Sequence, residues 1–181
     1  MDKNFSVRFI DPMMVINQLG MSAGVKAADF GCGSGYFSIP LAQIIGNEGI
    51  LYSLDVLPQS LESVESRAKI LGLTNIITKR VNLEKENGSK LESNSLDWVI
   101  LKDMLFQNGG KNVIIKEAYR VLKPGGRMLV VEWNENDSSI GPEQKLRIKK
   151  DDLVNFIQTQ KFSLEREINT GDFHYGLVVT K

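Results

Sequence analysis

The sequence predicts an α/β domain: a mostly parallel seven-stranded sheet covered by helices on both faces and carrying one antiparallel strand at its end. Three observations point there. Strand-like and helix-like patterns alternate along the 181 residues, the order that builds a parallel sheet between helical layers. A glycine-rich stretch, Asp29-Phe30-Gly31-Cys32-Gly33-Ser34-Gly35, joins an apolar run to an amphipathic one and reads as strand, tight turn, helix. The chain ends on two strand-like stretches, residues 163–169 and 174–180, joined by a short loop containing Gly171 and Asp172. That is a hairpin, and a parallel alternation that ends in a hairpin must contain one antiparallel strand.

Each element has its own local signal. Asp11-Pro12 opens the first helix, with the aspartate as N-cap and the proline at the first helical position, and Gly20 is placed to end it. Residues 26–29 form the first strand. After the glycine turn a helix covers residues 36–45, with Gly46 as its C-terminal stop. Residues 49–55 return as the second strand. From Pro58 onward, Leu61, Val64, Ala68 and Leu71 fall on one helical face that Gly72 ends. Residues 76–82 make the third strand, 84–95 a polar surface loop and 96–101 the fourth strand. A helix over 111–122 leads to Lys123-Pro124-Gly125-Gly126, a turn in which proline fixes φ and glycine accepts a positive one. Residues 127–133 are the fifth strand and 151–160 the last helix. No repeat, low-complexity tract or linker interrupts the order, and the length suits a single domain over residues 1–181.

Composition narrows the function classes. Lysine plus arginine equals aspartate plus glutamate, 22 each, so no global field draws the chain to nucleic acid or to an anionic membrane. The single cysteine, Cys32, leaves no internal disulfide and no multi-cysteine metal site, and suits a reducing cytoplasm. Met1-Asp2-Lys3-Asn4 does not open a secretory leader, and no apolar run approaches the ~20 residues of a membrane span. The expectation is a soluble, cytoplasmic protein.

Alternate glycines at 31, 33 and 35 let the backbone take positive φ and remove Cβ atoms that would hold a ligand away from the main chain, so a bound cofactor is expected. A dinucleotide fingerprint needs its third glycine where Tyr36 stands; Gly35 comes one residue too early. The opening acid and the Gly-x-Gly-x-Gly rhythm instead resemble motif I of the class I S-adenosylmethionine (SAM) dependent methyltransferases. The rest of the chain follows the same plan. Asp55 ends the second strand twenty residues after Gly35, Asn82 ends the third, and Val121-Leu122-Lys123-Pro124-Gly125-Gly126-Arg127 matches the family's turn after the fourth helix. The resemblance implies a Rossmann-like three-layer sandwich whose last strand inserts antiparallel, with SAM as cofactor. It implies cofactor contacts from Asp29, Gly31, Gly33 and Gly35, a ribose contact from the Asp55 carboxylate, and adenine contacts from the Asn82 side chain and the Leu83 amide. It also counts Lys102 among the cofactor-binding positions. Asn82 departs from the aspartate usual in the family, keeping a carbonyl acceptor but losing the charge.

Nearest the transferred methyl, the resemblance places Leu101-Lys102-Asp103-Met104-Leu105-Phe106-Gln107, with Asp103 and Gln107 meeting the acceptor as catalytic candidates and Phe106 walling the pocket. The Asn/Asp-Pro-Pro-aromatic tetrad of many nucleic-acid amino methyltransferases is missing, and the resemblance to small-molecule methyltransferases implies a small-molecule acceptor. SAM is already an electrophile, and much of the rate can come from holding the acceptor in line. No catalytic triad is needed. Clustered carboxylates are absent after the fourth strand, so no metal is expected. Cys32 reads as loop filling, and His174, the only histidine, as exposed. Phe5, Phe9, Met13 and Met14 form either a lid or a stripe packed on the sheet. Lys145, Arg147, Lys149 and Lys150 read as a solvated basic face. The segment between Trp133 and Asp151 resembles that of quinone-biosynthesis and arsenite-methylating enzymes, although the arsenite cysteines are missing. A SAM-binding module without catalysis is the alternative; a nicotinamide oxidoreductase is disfavoured by the glycine spacing.

Overall fold

The computed structural model describes residues 7–136 and 138–181. Its elements are α1 (Pro12–Asn17), β1 (Lys26–Phe30), α2 (Ser38–Ile45), β2 (Ile50–Asp55), α3 (Pro58–Ile70), β3 (Ile76–Arg80), β4 (Leu96–Lys102), α4 (Lys111–Val121), β5 (Leu122–Trp133), α5 (Lys150–Thr159), β6 (Ser163–Ile168) and β7 (His174–Thr180), with one short 3₁₀ turn at Gln144–Leu146. The seven strands form a single sheet in the order β3-β2-β1-β4-β5-β7-β6. All neighbouring pairs are parallel except those of β7, which lies antiparallel between β5 and β6.

Strand alternation divides the core into two layers. Ala27, Trp98, Ile100, Leu129 and Val131 face one side, where Val15, Ile16, Leu41 and Ile45 of α1 and α2 cover them. Ala28, Phe30, Val99, Leu101, Met128 and Val130 face the other, against Ile114, Ile115 and Ala118 of α4 and Leu153 and Ile157 of α5. Side chains two apart share a face, so an apolar strand feeds both cores at once. The chain runs β1 to β2 to β3 in one direction and then crosses to β4 on the far side of β1. The crevice at the carboxyl ends of β1 and β4 is therefore the switch point where open α/β sheets hold ligands.

Several boundaries shift for local reasons. Asp11 caps α1 as expected, its Oδ1 accepting from the Met13 and Met14 amides at 2.9 and 3.4 Å. β1 continues through Phe30, and α2 begins at Ser38 because the glycine turn extends through Tyr36 and Phe37. β3 stops at Arg80, which leaves Asn82 two residues beyond the strand. The Lys123–Gly126 turn lies within the span of β5: Leu122 pairs with Leu96 and Arg127 with Trp98, so the four residues loop out opposite Asp97. Gly125 takes φ +76° there, and Lys123 Nζ bonds Asp97 Oδ1 at 2.6 Å. Of the N-terminal stripe, Met14 packs on the sheet core, Met13 is exposed, and Phe9 stacks on Phe173 with ring centroids 5.3 Å apart. Phe5 lies outside the described residues.

Candidate active site

A cleft of about 420 Å³ opens at the carboxyl ends of β1 to β4, within the roughly 300–1,000 Å³ of small-molecule sites. Gly31 and Gly33 from the turn after β1, Asp55 at the end of β2, Asn82 and Leu83 after β3, and Lys102, Met104 and Gln107 at and beyond the end of β4 line it. Seven of the ten residues proposed from sequence are thereby brought together. Asp29, Gly35 and Asp103 stand behind or beside the lining.

The glycine turn is pinned from below. The amides of Gly31 and Cys32 both donate to the Leu54 carbonyl, at 2.8 and 3.0 Å, and the Gly33 amide donates to Asp55 Oδ2 at 2.9 Å. The three glycines have φ of +75°, +50° and +85°. Their surroundings separate their roles. A Cβ on Gly35 would come within 3.0 Å of Val64, so this glycine lets α3 approach, whereas a Cβ on Gly33 would meet nothing within 4 Å. Gly33 is the bare position on the turn. Asp29 is buried below it, its Oδ2 accepting from Ser38 Oγ at 2.7 Å, and Ser38 in turn accepts from Ser53. Burial pushes the Asp29 carboxyl up to about 6. Its contacts brace the turn from behind; the acid that opens the motif acts here through Ser38. Cys32 is likewise buried, and desolvation raises its thiol far above the ordinary range, so it is no nucleophile.

Asp55 accepts one amide on each oxygen, Gly33 on Oδ2 and Leu57 on Oδ1, the second also at 2.9 Å. A carboxylate has about four lone-pair sites, so room remains for two hydroxyl donors. Asn82 Oδ1 accepts from the Glu84 amide at 2.9 Å, an Asx turn that fixes the rim after β3 and leaves the oxygen a second lone pair. These features fit a nucleoside: an open glycine, a carboxylate for vicinal hydroxyls and an amide oxygen with the apolar Leu83 beside it.

The other wall is made of side chains. Glu132, fully buried on β5, accepts the Leu105 amide at 2.6 Å and so holds the segment after β4. Burial pushes its carboxyl up to about 7, with Asp103 adding to the rise. Gln107 donates back to the Asp103 carbonyl at 2.9 Å while its residue stays exposed on the rim. Lys102 Nζ contacts the Asp103 carboxylate. The expectation that His174 is exposed is corrected: its side chain is 5% exposed, and Nε2 lies 3.2 Å from Asp103 Oδ1. The strand register explains this, since insertion of β7 beside β5 sets His174 opposite Trp133. The basic face is corrected in part. Arg147 is buried, its guanidinium bonding the carbonyls of Asn134, Asn136, Ser138, Ile140 and Pro142, while Lys145 and Lys150 pair with Glu143 and Glu167. Glu132 and Arg147 carried no local sequence signal for these roles, because each acts through partners fixed only by the fold. Among the described residues no group of three or more His, Cys, Asp or Glu is placed to hold a metal, and no helix is long and apolar enough to cross a membrane.

A mostly parallel seven-stranded sheet with an inserted antiparallel strand, a glycine turn after β1 and an acid at the end of β2 is the arrangement of the class I SAM-dependent methyltransferases. The chain belongs to the methyltransferase domain family, whose model matches residues 21–169. It is similar to the ubiquinone/menaquinone biosynthesis C-methyltransferase UbiE of Haemophilus ducreyi, 30% identical over 134 residues, which cover 73% of this chain and 50% of that one. It is also similar to the demethylmenaquinone methyltransferase of Geobacillus stearothermophilus, 32% identical over 123 residues, 67% of this chain and 50% of the relative. The chain thus spans about half the length of the curated relatives it matches. Among solved structures, a SAM-dependent methyltransferase from Aquifex aeolicus superposes with a TM-score of 0.87 at 20% identity, over 95% of this chain and 90% of that one, a likeness of fold. SAM is the cofactor of this class.

Proposed function

We propose that the cleft binds SAM and that the chain transfers the cofactor's methyl group to a small organic acceptor. The observation that carries this reading is the convergence on one cleft of Gly33, whose Cβ position no described residue covers, Asp55 with lone pairs to spare, and the Asn82-Leu83 rim. Asp55 takes the ribose hydroxyls, Asn82 Oδ1 and the Leu83 amide take adenine, and the turn of Gly31 and Gly33 takes the methionine part. Lys102 borders the cofactor from the β4 side. When bound, SAM supplies a sulfonium methyl, an electrophile that needs no activation by the protein. The chain's task is to orient the acceptor and exclude water, and Asp103 and Gln107, after β4, are the polar groups placed to meet it.

A small molecule suits the acceptor wall, because Lys145 and Lys150 are held in ion pairs with Glu143 and Glu167 and Arg147 is spent on the loop carbonyls, which leaves only Lys149 of these four basic residues for a phosphate backbone. The relatives' names make demethylated quinones the first acceptors to try. Calorimetry with SAM, followed by an assay of S-adenosylhomocysteine release over a panel of phenols, quinones and amines, tests the reading. Saturable binding with release on one acceptor class supports it. Binding without release on any acceptor or on cell extract would make the chain a SAM-binding module.

A further inference from the structure

The densest cluster of titratable side chains beside the cleft lies where β4 and β5 end against the start of β7. His174 Nε2 sits 3.2 and 3.4 Å from the two oxygens of Asp103, and the imidazole packs on Trp133 with ring centroids 4.1 Å apart. The guanidinium of Arg147 lies 5.9 Å from the Trp133 ring and ties down the loop beyond it. Lys102 and Glu132 are the other titratable groups bearing on Asp103. Asp103 itself has φ +53°, a left-handed backbone that a residue with a Cβ adopts at a cost, held in place by its amide donating to the Val131 carbonyl at 2.9 Å. Strain of this kind concentrates at functional sites.

His174 Nδ1 is the telling atom. It is buried and has no hydrogen-bond partner among the described residues, whereas buried polar atoms are paired with few exceptions. An imidazole used only as a brace would be bonded at both nitrogens. With Nδ1 unbonded, no other group fixes the tautomer, and Nε2 can donate to Asp103 or accept from it. Asp103 follows Lys102 and precedes Met104, both of which line the cleft, and its side chain is 16% exposed. Oδ1 is buried and the ring is only 5% exposed, so the partly exposed edge of the carboxylate is the part of the pair nearest the cleft.

Building on the methyl-transfer reading above, we propose that Asp103 and His174 form the proton-accepting pair for the methyl acceptor, with Asp103 touching the acceptor and His174 acting as a positioning residue through it. The bond from the acceptor atom to the methyl carbon forms as the sulfur–methyl bond breaks, and that electron pair stays on sulfur. The acceptor's own proton passes to the Asp103 carboxylate and from there to Nε2, leaving a neutral methylated product and an imidazolium–carboxylate pair. The positive charge that began on sulfur ends on His174. The acceptor class follows: a hydroxyl, an amine N–H or an activated carbon that must lose a proton, rather than a thioether or a tertiary amine.

The test compares His174→Gln with the parent chain. Glutamine keeps a donor for Asp103 but cannot take up a proton. SAM affinity by calorimetry should stay within about twofold, KM for the acceptor should change little, and kcat should fall about a hundredfold. Parent-like kcat in His174→Gln would show a brace and overturn the proposal. Because the chain has one histidine, nitrogen-15 spectra of the parent alone give a second readout: Nε2 hydrogen-bonded and Nδ1 not. Equivalent, solvent-like nitrogens would overturn the pair whether or not the variant folds. Failure of the parent to bind SAM or to turn over any acceptor would remove the methyl-transfer reading, and with it the proton uptake, while the spectra still decide whether the two side chains are paired.

Discussion

At the ends of β1, β2 and β3 the cleft is bounded chiefly by main chain: the turn at Gly31–Gly33 hangs from the Leu54 carbonyl and the Asp55 carboxylate, and Asn82 fixes its own rim two residues on. At the ends of β4 and β5 and the start of β7 the wall is bounded by side chains, Asp103, Glu132, Trp133 and His174, bonded or stacked across strands. In the proposed reading the surface of backbone serves what every member of a class shares, the cofactor. A wall of side chains can be exchanged residue by residue without altering the fold, which suits it to choosing the acceptor in that reading. Each half also hides a carboxyl raised by burial, Asp29 under the turn and Glu132 under the segment after β4.

The comparison breaks most sharply at Gly33. Gly33→Val adds a branched side chain at a position where a Cβ meets no described residue beyond its chain neighbours within 4 Å, so it would occupy the ligand's place. SAM affinity should fall more than about a hundredfold, while the strain of a β-branched residue at positive φ, about 1–3 kcal/mol, leaves a cooperative fold by circular dichroism. If SAM raises the melting temperature of mutant and parent equally, the turn is only a turn.

Asp55→Ala comes next. It removes the acceptor for two hydroxyls and also the anchor of the Gly33 amide, and charge-assisted bonds of this kind are worth about 1.5–3 kcal/mol. The dissociation constant for SAM should rise about ten- to a hundredfold. An unchanged constant in a folded variant takes Asp55 out of the site.

The buried carboxyls should show themselves in stability against pH. A carboxyl whose folded pKa is raised binds more protons in the native than in the unfolded state, so stability falls as pH rises from the ordinary value to the raised one. For Glu132 the window is 4.5 to about 7, and for Asp29 it is 3.8 to about 6. Glu132→Gln should gain stability over the parent progressively through its window and level off above it, by an amount on the order of 3 kcal/mol, read as a rising difference in unfolding free energy. Asp29→Asn should do the same in the lower window. Flat differences between variant and parent across these ranges would mean that the carboxyls are not held protonated by burial. The smallest effect is expected at Asn82→Asp, which keeps the bond to the Glu84 amide and should leave SAM binding unchanged or slightly tighter. A large loss there would misplace the adenine.

How much of this was legible follows the same division. The capped α1, the seven strands, the closing hairpin and the glycine turn came from local signals, because each depends on neighbours within a turn or on its own strand; the insertion of β7 and the cleft positions Asp55, Asn82 and Leu83 came with the resemblance to the class I methyltransferases. His174 read as exposed and Arg147 as part of a solvated face, since the contacts that bury them join residues far apart: Asp103 and His174 are 71 positions apart. Lys123–Gly126 shows the intermediate case. Its turn chemistry was readable, but its place inside the β4–β5 ladder depended on the pairing of Leu96 with Leu122.

The central claim, that the cleft at the carboxyl ends of β1 to β4 is the SAM site, is tested most directly by titrating SAM into the isotopically labelled chain and mapping the amide resonances that move. The account predicts saturable shifts concentrated at Gly31 and Gly33, Asp55 to Leu57, Asn82 to Glu84 and Lys102 to Asn108. Saturable shifts centred instead on the loop around Gln144 to Lys149, or none at all, would contradict it.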